Sequence, residues 1–301
     1  MSAKKLTHKA SSTALPGLVM KGYFRSVILL FCIFVLMLLL AGIAAGIVLK
    51  IFPEGSRDGL LAANIVQNVV AFFGSALLTS FFVSNRPFAF MGCTGRLRPI
   101  TVFNILICFF LGLPFLNELV FLNTQMHLPD WLSGTEQWMR ELEDMAGNKV
   151  DALLQVSSIG ALIVNLLVIG LLTGFCEELF FRGMLQRLLG AGGMNRHLAV
   201  WLAAFVFSLL HFQFFGFLPR LLLGAFFGYI LLWTGSIWAS AIAHAIFNSI
   251  TVVTVWLSTR GINTDIVESI GISHNGFPWI AAISLLLTLV YIYVQRRNRL
   301  F

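Results

Sequence analysis

Along most of this chain, apolar residues run for a membrane's width before a short polar or basic break. The runs fall at about 27–49, 60–83, 100–122, 159–189, 198–215, 218–233, 237–257 and 278–294. A helix needs roughly 20 predominantly apolar residues to cross a bilayer core of about 30 Å. The pattern therefore predicts an all-α, polytopic membrane protein of about eight transmembrane helices. The breaks carry turn chemistry: Pro53 to Gly59, a Gly/Pro-containing loop at 84–99, Gly190 to Asn195, and Thr234-Gly235-Ser236. Pro219 opens the sixth run, where a missing N–H is harmless.

The segment 123–153 is different in kind. Asp130, Glu136, Glu141, Glu143, Asp144 and Asp151 alternate with Trp131, Trp138, Leu142 and Met145. Trp138, Leu142 and Met145 share one helical face, which predicts an amphipathic helix on the membrane surface with its tryptophans at headgroup level. The organisation is then a basic arm (1–26), a transmembrane domain (27–295) containing this interfacial segment, and a basic tail (296–301).

Composition agrees with the pattern. Charged residues make up 11% of the chain and hydrophobic ones 58%, against about 25% charged in soluble domains. The formal charge of +7 does not point to nucleic acid, because the basic residues cluster at span ends and act as topology signals. Eight spans put both termini on one side of the membrane. Leaving out Arg182, that side holds thirteen Lys/Arg and the other six. The positive-inside rule then places both termini in the cytoplasm and 123–153 outside. The four cysteines show neither CxxC spacing nor a disulfide framework.

Polar groups inside the runs are the candidates for chemistry, since ionisable side chains at membrane depth are costly and face cavities. Asn64, Gln67 and Asn68 suit interhelical hydrogen bonds, and Glu118 sits near a helix end at the interface. Three stretches stand out: Glu177-Glu178-Leu-Phe-Phe-Arg182, Phe207-Ser-Leu-Leu-His211 and His244-Ala-Ile-Phe-Asn248. Counted from the cytoplasmic ends of their helices, Glu177, His211 and Asn248 lie 13, 14 and 12 residues in. At about 1.5 Å per residue, all three reach a depth of roughly 18–21 Å. Three polar groups from three spans at one depth point to a shared site.

Glu178 and Arg182 are spaced i, i+4 with the acid first, the favourable order for an ion pair. Glu177 is rotated by about 100° and faces elsewhere. His244 and Asn248 share a face, and Phe207 sits one turn from His211. A glutamate desolvated in an apolar cavity suits a general base for water, and a histidine can hold that water. A His/Asn pair can donate to the oxyanion of a tetrahedral intermediate. No serine or cysteine is so clearly paired with a base; Cys176 adjoins Glu177 but points to a different face. Alternatively, Glu177, His211 and His244 could supply three ligands to a catalytic Zn2+ with an open water position, although HExxH is absent. The reading is an intramembrane endopeptidase acting on a protein or peptide substrate. The alternatives are a catalytically silent scaffold or immunity protein, and a proton-coupled transporter, against which stands the absence of an inverted repeat.

In order, EExxxR, FxxxH and HxxxN resemble the CPBP (Abi) family of intramembrane proteases, which includes type II CAAX prenyl endopeptidases and bacteriocin-processing or self-immunity proteins. The matching positions are Glu177, Glu178 and Arg182, then Phe207 and His211, then His244 and Asn248, within about 155–257. The resemblance implies a helical bundle with a buried cavity. It implies that Glu177 activates water with His211 while His244 and Asn248 stabilise the oxyanion, with Glu178 and Arg182 in support. Members are commonly labelled metalloproteases, so zinc stands beside a metal-free glutamate. Prenyl recognition does not carry over. The compact chain suggests a bacterial inner-membrane member.

Overall fold

A computed structural model describes residues 23–273 and 278–301; most of the basic arm read from the sequence, 1–22, lies outside the described residues. Among the described residues the chain is helical throughout, without strands. The elements are α1 (Phe24–Leu49), α2 (Arg57–Val83), α3 (Pro99–Thr124), α4 (Ser133–Leu154), α5 (Ile159–Ala191), α6 (Arg196–Leu209), α7 (Phe217–Thr234), α8 (Ile237–Thr259) and α9 (Trp279–Arg297). Among the described residues seven helices are long and apolar enough to cross a membrane, and α6, with 14 residues, is a shorter apolar helix. The protein is an integral membrane protein.

The spans bury narrow faces and leave wide apolar surfaces for lipid. On α1, Leu30, Phe34 and Ala41 are buried while Val35, Leu39 and Ile43 are more than half exposed. With lipid tails as apolar as leucine, close packing rather than dehydration must hold the helices together. Aromatic rings supply much of it. Phe34 meets Phe180 at 4.5 Å between centroids, Phe180 meets Phe181 at 5.0 Å, and Phe181 meets Phe207 at 5.1 Å, a chain of rings running from α1 through α5 to α6.

Polar contacts tie the spans where the backbone is irregular. Asn64 on α2 accepts from Thr173 of α5 at 3.5 Å and from Asn68 on its own helix at 3.2 Å. Pro114 interrupts α3; beside it the Ser284 hydroxyl donates to Leu111 O (2.5 Å) and accepts from Phe115 N–H (3.3 Å). That insertion satisfies backbone groups the proline disturbs. Glu118 is buried and accepts from the Ser273 backbone and hydroxyl at 2.8 and 3.0 Å, so its carboxylate anchors the loop before α9.

Two features differ from the sequence reading. First, α5 contains two wide π-type stretches, Leu166–Thr173 and Leu179–Gln186, flanking the five residues that carry both glutamates. Such wide turns concentrate at functional sites. Second, the fifth span does not run to 215: α6 stops at Leu209, and Phe212 adopts a left-handed conformation with φ 53°. The chain reverses through 210–216 into α7. At about 1.5 Å per residue α6 is only about 21 Å long, short of a bilayer core of about 30 Å, and irregular backbone within a bilayer is admissible only if protein covers it. The cover comes from α4: Trp138 packs on Phe214 (5.8 Å), and the Arg140 guanidinium lies 4.1 Å from the centre of the Phe215 ring. Trp131 and Met145 remain exposed.

Candidate active site

The middle of α5 delivers two carboxylates in opposite circumstances. Glu178 is fully buried and saturated with donors. Its Oε1 accepts from Arg182 Nη1 at 2.7 Å and from His244 Nδ1 at 3.0 Å, and its Oε2 accepts from the Ser240 hydroxyl at 2.5 Å. Charge-assisted bonds of this kind are about twice as strong as neutral ones. Arg182, also fully buried, donates through Nη2 to Gly224 O on α7 at 2.9 Å and lies 4.5 Å from the centre of the Phe207 ring. A burial this complete is tolerable only because ion pair, carbonyl and ring replace the lost water.

Gly224 explains how α7 comes so close. A Cβ there would meet Arg182 Nη2 and the Phe207 ring at 3.1 Å. One turn on, Gln186 donates to Gly228 O at 3.0 Å, and a Cβ at Gly228 would meet Gln186 Oε1 at 2.6 Å. The bare carbonyls of two glycines therefore receive two side chains of α5.

Glu177 is buried but its Oε2 has no hydrogen-bond partner. Facing it at 3.9 Å is Nε2 of His244. That gap is too long for a direct hydrogen bond. The His244 ring is held on both flanks: Nδ1 by Glu178, and one face by Phe227, stacked at 4.9 Å. With a carboxylate accepting at Nδ1, Nε2 is the nitrogen turned toward Glu177.

Phe207 stands between the two imidazoles, 4.8 Å from the His211 ring and 5.7 Å from that of His244. His211 is bonded through Nδ1 to Phe207 O at 2.7 Å. A carbonyl only accepts, so Nδ1 carries the hydrogen and Nε2 keeps a free lone pair. Asn248 donates to Ile169 O on α5 at 3.0 Å, which leaves its second amide hydrogen available. The structure thus joins Glu177, Glu178, Arg182 and His244 in one polar cluster and attaches His211 to it through Phe207. Asn248 lies one turn along α8 from His244, its hydrogen bond spent on backbone.

For the Zn2+ alternative the donor set matters. Among the described residues no group of three or more His, Cys, Asp or Glu side chains is arranged to hold a metal ion. Glu177 and His244 face each other without a third donor closing the set, so these residues as placed do not fit a three-ligand zinc site.

Several contributors escaped the sequence reading. Ser240 lies four residues before His244, and that spacing was a usable signal. Gly224 and Gly228 form a GxxxG pair, the pattern of close helix approach. Phe227 and the partners of the 210–216 turn had no local signal.

No curated protein and no solved structure matches the chain. A family model does: residues 159–250 match the one described as Type II CAAX prenyl endopeptidase Rce1-like. That interval contains every residue of the three motifs, from Glu177 to Asn248. Over this segment the chain is similar to the Rce1-like type II CAAX prenyl endopeptidases, a protease family, in agreement with the resemblance its motifs carry.

Proposed function

We propose that the protein is an intramembrane endopeptidase that hydrolyses a peptide bond with water activated by Glu177. The observation that carries this reading is the buried, unpartnered Glu177 Oε2 standing 3.9 Å from His244 Nε2. A water bridging that gap loses a proton to Glu177 as its oxygen attacks the carbonyl carbon of the substrate. The bare Nε2 of His211 accepts the water's other hydrogen and orients it. His244, with Glu178 against its Nδ1, can carry a proton on Nε2 and donate it to the oxyanion, joined by the second amide hydrogen of Asn248. Preorganised donors in a dry site are worth more than the same donors in water. The proton on Glu177 then passes to the leaving amine as the C–N bond breaks. Glu178, Arg182 and Phe207 hold the imidazole of His244 in place.

The substrate class is a protein or peptide segment that reaches membrane depth. The excess of Lys/Arg at one end of the spans supports an orientation with both termini in the cytoplasm.

The test is cleavage of a peptide library by the detergent-purified chain, comparing wild type with Glu177→Gln and measuring bound metal in both. Metal-independent cleavage that falls at least about 100-fold in Glu177→Gln supports the mechanism. Cleavage that survives Glu177→Gln overturns it. Cleavage abolished by a chelator and restored by zinc would return the water to a metal ion.

A further inference from the structure

The turn that carries His211 is held from two sides by residues outside the three motifs. Phe212, next to His211, is in the left-handed region that a phenylalanine rarely adopts, and such strain persists only where surroundings over-determine it. From the bundle side, Arg220 of α7 donates through Nη2 to Gln213 Oε1 at 2.7 Å and through Nη1 to Gln213 O at 3.2 Å and Gly216 O at 3.4 Å. Its charge is within electrostatic reach of both Glu177 and His211. From the other side, Glu143 of α4 accepts the Phe215 N–H at 3.0 Å. Asn123 of α3 closes the far end, accepting from Leu218 N–H at 2.8 Å.

We propose that Glu143 and Arg220 are positioning residues for His211, and that α4 is thereby a working part of the active site rather than only a membrane-surface helix. The two grip one short segment from different helices: Arg220 spans it from Gln213, two residues after His211, to Gly216, and Glu143 fixes Phe215 within it. Neither touches the reacting atoms. Their common product is the direction of the His211 ring, whose remaining freedom is taken by its bond to Phe207 O. An error of about 1 Å in a group that orients water costs up to roughly 100-fold in rate.

This inference rests on the hydrolase reading for its kinetic arm only, so the experiment has two arms. The full chain in detergent is compared as wild type, Glu143→Ala, Glu143→Gln, Arg220→Gln and Arg220→Lys. Hydrogen–deuterium exchange of 208–220 reports the turn without reference to activity, and peptide cleavage reports kcat and KM. Glu143→Ala and Arg220→Gln should speed exchange at 211–217 and lower kcat roughly 10- to 100-fold with KM little changed. Glu143→Gln keeps an acceptor oxygen for Phe215 N–H and should recover most of both readouts. Arg220→Lys, with charge but no fork, should recover part. Unchanged exchange in Glu143→Ala and Arg220→Gln overturns the brace. Faster exchange with unchanged kcat overturns the positioning role. Should one alanine or glutamine variant fail to fold, its conservative partner decides: wild-type exchange together with wild-type kcat in Arg220→Lys, whose fork is lost, counts against the proposal. A wild-type chain that cleaves nothing sinks the hydrolase reading, while faster or unchanged exchange in the variants still supports or overturns the brace.

Discussion

Glu177 and Glu178 are neighbours in one turn of α5, both buried, and the molecule treats them in opposite ways. Around Glu178 the cluster is closed: Arg182, His244 and Ser240 take up its oxygens, and α7 presses in on bare glycine carbonyls. Around Glu177 it is open, with Oε2 unpartnered and facing His244 across 3.9 Å. A carboxylate whose lone pairs are committed can hold other groups in place but has nothing left for a substrate. One with a free oxygen in a dry setting costs stability and leaves an acceptor open. The same residue type, one position apart, has its oxygens committed or left open according to its donors.

The contrast can be broken from either side. The largest effect is expected from Glu177→Gln, which should lower kcat by about 100- to 10,000-fold while leaving the melting temperature close to wild type, because no hydrogen bond to Oε2 is lost. A large drop in melting temperature instead would show Glu177 to be part of the scaffold. Arg182→Ala should do the reverse to the fold, costing about 3–5 kcal/mol by leaving Glu178 buried without its cation; denaturant unfolding in detergent reads this, and an unchanged midpoint would dissolve the distinction. Gly228→Ala should cost about 1–3 kcal/mol, since the new Cβ meets Gln186 Oε1 at 2.6 Å and Val200 Cγ1 at 3.0 Å, and moving Gln186 aside gives up its bond to Gly228 O. It should leave turnover per folded molecule near wild type, which a cleavage assay normalised to folded protein would check.

The smallest effect lies away from the candidate membrane-spanning helices, at the start of α4. Arg140 beside Glu136, together with the Leu128 N–H and His127, holds the Glu136 carboxyl down to about 2. Because the folded value is depressed, this cluster contributes stability above the ordinary carboxylate range near 4.5 and loses it as pH falls from there toward 2. Acid titration should loosen the N-terminal turn of α4 across that window in wild type and not in Glu136→Gln. Hydrogen exchange of 126–140 measures it, and identical acid profiles for the two chains would count against the assignment.

Much of the site was legible in the chain because helices make it so. An i, i+4 spacing is a contact once the helix is granted, so Glu178–Arg182 could be read directly and is found at 2.7 Å. Apolar length predicted the spans, with ends within a few residues for α1, α2, α3, α5, α7, α8 and α9. The early end of α6 could not be read. Its apolar run continues to Phe215, and the reversal depends on α4 and Arg220 covering a turn that lipid would reject. The bond between His244 and Glu178 was equally hidden, because 66 residues separate them and no local rule selects which imidazole a buried carboxylate takes.

By itself the sequence determined that this is a helical membrane protein, where most of its spans run, and which few polar residues lie inside them. Those follow from short-range physics: hydrophobic length, helical periodicity and the cost of charge in lipid. Only the tertiary structure decided which glutamate is free, which histidine faces it, and that an outer amphipathic helix reaches in to hold the turn of the other. These depend on which donors arrive from distant helices. In a medium without water, each donor taken by one acceptor is denied to its neighbour.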